Sequence, residues 1–121
     1  MSLRGIRGAT TVSANESEAI LNATRELLGE MTEKNGVRPA DIASVFATMS
    51  PDLNATFPAR GIRTIPEWKE VPLMCATEVD VPGALQKCIR LLILANSDED
   101  ASGIQHVYLR EARQLRPDLV E

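Results

Sequence analysis

Residues 16–35 constrain the fold of this 121-residue chain more than any other stretch. Ile20, Leu21, Thr24, Leu27, Leu28 and Met31 recur with steps of 1, 3, 3, 1 and 3. That is one stripe along a helix of about 3.6 residues per turn. Asn15 is a good N-cap residue with Glu18 three positions on, as in a capping box. Gly36, after Lys34-Asn35, is a stop signal. The spacing predicts a single long amphipathic helix over Glu16–Asn35, and its apolar face needs a sheet to lie on.

The rest of the chain supplies strands. Leu3–Ser13 reads as one, with β-branched residues at its end and Gly5 and Gly8 interrupting it; a glycine inside a strand marks a bulge or a close backbone approach. After a turn at Pro39-Ala40-Asp41, Ile42–Met49 follows as a buried strand that Ser50-Pro51-Asp52 breaks. Pro58 opens a short helix, Ala59–Ile65. Val71–Val79, Lys87–Asn96 and His106–Leu109 read as further strands, with a turn at Pro82-Gly83 and an acidic surface loop at Ser97–Ser102. The tail Leu115–Leu119 is expected to be extended, because the residue before Pro117 avoids the helical region. The expected fold is α+β: one domain spanning residues 1–121, with a mixed five-stranded sheet on one long helix. One helix cannot shield both faces of such a sheet. The strands at 42–49 and 87–96 look apolar throughout, as strands buried on both faces do. A homo-oligomer is therefore expected.

Composition excludes several functions. With 17 acidic residues against 13 Lys plus Arg, the net charge is −4, against a general nucleic-acid binder. The longest apolar run, Leu91–Ala95, falls far short of the ~18–20 residues of a membrane span. The N-terminus shows no h-region, so a cytoplasmic setting with reduced thiols is expected. Cys75 and Cys88 form neither a CxxC nor a disulfide framework, and with His106 as the one histidine no metal site is expected. Aromatics make up only 3%, namely Phe46, Phe57, Trp68 and Tyr108, so the core must be aliphatic. Trp68 is expected at the surface or an interface, Phe57 as a pocket wall or a staple for the short helix, and the Tyr108 phenol needs a partner if buried.

Arginine placement is the chemical signal. Arg90 stands between Ile89 and Leu91 in an apolar strand. A charge there either pairs with a carboxylate such as Glu78 or faces a ligand. Arg7 sits between glycines in Arg4-Gly5-Ile6-Arg7-Gly8, Arg60 and Arg63 share a face of the short helix, and Arg116 precedes Pro117. Cys75 reads as a core filler, since one histidine gives little support for a Cys–His nucleophile, and Cys88 reads as packing. Several arginines, a tyrosine and a carboxylate together point to a site for a small polyanion, because arginine suits two-point carboxylate binding. The chain carries no Walker loop, dinucleotide fingerprint or Ser-His-Asp set. Read residue by residue, it is a cofactor-free domain that binds a carboxylate-rich small molecule.

At these residues the sequence resembles the AroH-class chorismate mutases, the monofunctional trimeric α/β type. The matching stretches are Arg4–Val12, Pro51-Asp52-Leu53 with Phe57-Pro58-Ala59, Val71-Pro72 through Cys75 and Glu78, Cys88-Ile89-Arg90, His106–Leu109 and Leu115–Leu119. The resemblance implies conversion of chorismate to prephenate, on the way to phenylalanine and tyrosine, without a cofactor. It implies a chorismate-mutase-like (ferredoxin-like) fold, a homotrimeric pseudo-α/β barrel, and sites in clefts between subunits. It implies Arg90, Arg7, Glu78 and Cys75 as catalytic residues, with Cys75 beside Glu78. Tyr108, Phe57, Arg60, Arg63, Met74, Ala76, Thr77, Leu115 and Arg116 are implied as substrate-binding. Two other readings compete. One is a non-catalytic trimeric carboxylate-binding or regulatory protein on the same scaffold. The other is a proton-transferring enzyme using Glu78 and Cys75, which would show a bell-shaped pH–rate profile.

Overall fold

The computed structural model describes residues 1–115. The chain runs β1 (Ser2–Thr11), α1 (Ser17–Asn35), β2 (Ile42–Met49), α2 (Ala59–Arg63), β3 (Leu73–Thr77), β4 (Cys88–Ser97) and β5 (Val107–Tyr108). Short 3-10 turns lie at Pro39–Asp41, Pro66–Trp68, Ala101–Gly103 and Arg110–Leu115. The five strands form one sheet in the order β3-β2-β4-β1-β5. β4 is antiparallel to both β1 and β2, while the pairs β2–β3 and β1–β5 are parallel. The sheet is therefore mixed, as expected. β1–α1–β2 is a split crossover with β4 inserted between its strands, a unit shared with ferredoxin-like folds. The second half departs from that pattern, because β2–α2–β3 joins neighbouring parallel strands and β5 is only a two-residue edge.

α1 lies on one face of the sheet. Its Leu27, Leu28 and Met31 join Ile6, Val45, Ala47, Leu91, Ile93 and Ala95 in the main core, all almost fully buried. Gly8 makes this close approach possible, since a Cβ there would come within 2.3 Å of Met31 Sδ. Gly36 ends α1 in the left-handed region at φ 60°, where glycine carries no Cβ penalty.

Several expectations need correction. The helical layer is not α1 alone: α2 leans on it so closely that a Cβ at Gly61 would stand 3.0 Å from the Leu21 carbonyl oxygen. Asn15 does not cap α1. Glu16 occupies that position without a side-chain cap bond, and the Asn15 side chain instead accepts the backbone N–H groups of Asn54 and Ala55 at 3.0 and 3.1 Å. Trp68 is not at the surface; only 6% exposed, it belongs to the main core, because a 3-10 turn directs it inward from between polar neighbours. Leu115 ends a 3-10 turn rather than beginning an extended tail, and the rest of that tail, with Arg116, lies outside the described residues.

The strands at 42–49 and 87–96 are not buried on both faces within one chain. Burial alternates along β4, and the face away from α1 is open. The strand registers set side chains in rows across that face. Arg7, Leu92, Phe46 and Met74 form one row, and Tyr108, Ala9, Arg90, Thr48 and Ala76 form the next. Phe46 and Met74 are large apolar residues left exposed there.

Candidate active site

The second row apart from Ala76 forms the floor of a cleft of about 350 Å³ lined by Arg7, Phe46, Thr48, Glu78, Arg90, Leu92, Tyr108 and Leu115. Several of the lining groups arrive by rules that can be named. Arg7 points to the open face because it alternates with Ile6 and Gly8, which face α1. Its backbone N–H donates to His106 Nδ1 at 2.9 Å, which fixes strand β1 against the segment leading into β5. Glu78 follows the end of β3, and its N–H donates to the Met49 carbonyl at 2.9 Å, carrying the parallel ladder one residue further. Tyr108 stands beside Ala9 and packs with Cys88, Ala112 and Leu115.

The last 3-10 turn brings Leu115 to the cleft. It starts at Arg110, held at φ 52°. The Arg110 guanidinium donates to Glu26 of α1 at 2.6 Å and to the Thr10 hydroxyl at 3.2 Å. These contacts supply the support that a left-handed, non-glycine residue requires.

At the centre, Arg90 Nε lies 3.7 Å from Glu78 Oε2, and the same oxygen accepts a hydrogen bond from the Thr48 hydroxyl. Arg90 Nε is buried and has no hydrogen-bond partner among the described residues. Sequence alone left open whether Arg90 pairs with Glu78 or faces a cleft. It does both, because the ion pair is a loose one and the side chain remains 41% exposed. Cys88, two residues before Arg90 on the same face of β4, packs with Ala9 and Ala112 beside this floor, and burial pushes its thiol above the usual cysteine range, with Arg90 pulling the other way.

The remaining predicted residues lie elsewhere. A second cleft of about 520 Å³, between the start of α2 and the edge strand β3, is lined by Phe57, Arg60, Cys75, Ala76 and Thr77, with Met49, Leu53 and the 54–56 loop. Phe57 is 66% exposed there, and Arg60 donates to the Thr56 hydroxyl at 2.8 Å. Cys75 does not sit beside Glu78. It is level with Ala47 and packs against the core under the helices. Met74 is exposed on the open face, and Arg63 is exposed at the end of α2, outside both linings.

Sequence reasoning missed Thr48, Phe46 and Leu92 as lining residues. Only the register of β2 against β4 brings them together, and no local signal marks them. Among the described residues, no three His, Cys, Asp or Glu side chains converge as a metal site would need, and no helix is long and apolar enough to cross a membrane.

Comparison with known proteins identifies the family. The chorismate mutase type I family model matches residues 3–119. Chorismate mutase AroH of Bacillus subtilis (strain 168) is 44% identical over 119 residues, covering 98% of this chain and 94% of that protein. Chorismate mutase AroH of Thermus thermophilus is 50% identical over 118 residues, covering 97% and 96%. The solved structure of a chorismate mutase from Clostridium thermocellum is 48% identical, with a TM-score of 0.89 over 91% of this chain and 97% of that one. On a family match that spans nearly the whole sequence, this chain belongs to the type I chorismate mutases.

Proposed function

We propose that the chain acts as a homotrimer and rearranges chorismate to prephenate in clefts shared between neighbouring subunits, with Arg90 stabilising the ether oxygen as its bond breaks. The chain is a chorismate mutase, an isomerase of aromatic amino acid biosynthesis. The reaction is an intramolecular Claisen rearrangement. The ether C–O bond breaks while a C–C bond forms, with no proton transfer and no nucleophile. The protein's task is to hold a flexible dicarboxylate in a compact shape and to meet the negative charge that grows on the ether oxygen.

The observation that carries this reading is Arg90. A guanidinium with one N–H buried and unpaired, on the floor of an apolar-walled cleft beside a second arginine, is a preorganised donor. A group so placed stabilises the transition state more than the ground state, because the ether oxygen becomes anionic only during the reaction. Arg7 binds a carboxylate and reaches toward the ether oxygen, and Tyr108 donates to a carboxylate. Glu78 accepts from the ring hydroxyl and orients Arg90. Leu115 closes the cleft, and Arg63 adds positive potential at its mouth.

The division of residues between two clefts supports a shared site. The first holds Arg7, Glu78, Arg90, Tyr108 and Leu115; the second holds Phe57, Arg60, Cys75, Ala76 and Thr77. The open sheet face, with Phe46 and Met74 exposed, supplies the apolar surface that a neighbouring copy covers. In the trimer, the second cleft of one subunit, with Met74, completes the first cleft of the next. Both cysteines are free thiols, which suits a cytoplasmic setting. The proton-transfer alternative loses its pair, since Cys75 and Glu78 line different clefts.

The test is disappearance of chorismate absorbance with purified protein, alongside a solution mass. Turnover by a species of three chains is the expected result. Absence of turnover at micromolar enzyme would instead mark a carboxylate-binding protein on this scaffold.

A further inference from the structure

Thr48 carries none of the roles assigned above, yet it touches the central ion pair. We infer that Thr48 is a positioning residue for the reaction, whose hydroxyl holds the Glu78 carboxylate back from Arg90 and so leaves the guanidinium free to donate into the cleft. This inference rests on the reading of Arg90 just given.

Three constraints meet at one oxygen. The β2–β4 register sets Thr48 directly opposite Arg90 on the open face. The backbone of Glu78 is tied to Met49, the residue after Thr48, by its N–H bond at 2.9 Å, so the carboxylate cannot swing far from either. Glu78 Oε2 accepts from the Thr48 hydroxyl while Arg90 Nε lies 3.7 Å away, buried and without a hydrogen-bond partner among the described residues. A carboxylate this close to an arginine ordinarily closes into a two-point pair with parallel N–H bonds. Such a fork would occupy one edge of the guanidinium and cancel much of the positive potential that the breaking ether bond requires. The gap at Nε is what remains when the hydroxyl holds the shared oxygen first. Serine retains that donor. Valine keeps the β-branched shape that suits a strand but removes the donor, and it leaves Glu78 free to close onto Arg90.

The experiment measures kcat and KM for chorismate with purified Thr48→Val, Thr48→Ser and Arg90→Ala, together with a crystal structure of Thr48→Val. The expected result for Thr48→Val is a fall in kcat of about tenfold. That is less than the roughly 10²–10³ of deleting a transition-state donor outright, because the donor is diverted and not removed. KM should stay within about twofold, since the diverted contact forms chiefly in the transition state. Thr48→Ser should recover most of the loss, and the valine structure should show Arg90 and Glu78 joined at hydrogen-bond distance. A kcat for Thr48→Val within twofold of the parent, a loss seen only in KM, or a serine variant as impaired as valine would overturn the inference. So would a valine structure in which the Arg90–Glu78 gap is unchanged. A severe Arg90→Ala defect beside a silent Thr48→Val sinks this inference alone. An active Arg90→Ala sinks the reading of Arg90 and this inference with it.

Discussion

Gly8→Ala tests the contact that sets the cleft's geometry from behind. Gly8 faces α1, and an added Cβ would lie 2.3 Å from Met31 Sδ and 3.0 Å from Met31 Cγ and Cε. Met31 is fully buried, so it has no solvent to move into. Either its side chain leaves a good rotamer or the strand and helix separate. Overpacking of this kind costs about 1–3 kcal/mol. The loss of glycine's freedom in the unfolded chain returns roughly 0.4–1 kcal/mol. The midpoints of these ranges give a net destabilisation of about 1.3 kcal/mol, read by urea denaturation at one fixed protein concentration. Met31→Ala removes the obstructing atoms at its own cost of about 2–5 kcal/mol. In that background Gly8→Ala should cost nothing or stabilise slightly, so the double-mutant cycle should give a coupling of about 1–3 kcal/mol. Because Arg7 and Ala9 flank this residue and Ala9 stands opposite Arg90, kcat should fall in the single variant and recover in the double. A Gly8→Ala chain within 0.5 kcal/mol of the parent, where ordinary surface changes fall, would refute the reasoning. Equal costs in the two backgrounds would do the same.

Three further predictions follow from the site. Cys75 is half-buried and Cys88 almost fully buried with its thiol pushed up, so iodoacetamide should label Cys75 first in the folded protein. The raised thiol means that Cys88 favours the folded state below the ordinary cysteine range. That contribution is lost as the pH rises through it, because the unfolded thiol ionises first. Alkaline destabilisation should therefore be shallower in Cys88→Ala, and an unchanged slope would contradict the burial argument. For the shared site, Arg90→Ala and Phe57→Ala chains unfolded together and refolded as mixed oligomers should regain activity that neither shows alone, because some clefts then draw both intact halves. No recovery on mixing would mean that each chain builds its site by itself.

Much of the fold was legible because its strongest signals are local. The α1 stripe depends on residues three and four apart, and Gly36 ends it where expected. The open sheet face followed from counting one long helix against five strands. What sequence could not supply depends on neighbours distant in the chain. The loop at Asn54 and Ala55 draws Asn15 away from the cap it was expected to form. The turn at Pro66–Trp68 rotates an aromatic among charged neighbours into the core. Thr48 gained its contact with Glu78 only through strand register. The separation of Cys75 from Glu78, in contrast, was available in principle. Side chains alternate along a strand, and residues three apart point to opposite faces.

The central claim is that a fixed guanidinium at position 90 stabilises charge on the breaking ether bond. The most direct measurement is kcat for chorismate with Arg90→Lys, which keeps the charge but loses the planar fork. The account predicts a fall of about 10²–10³ with the fold intact. A lysine variant within about tenfold of the parent, roughly 1.4 kcal/mol of barrier, would show that charge alone suffices and contradict the account.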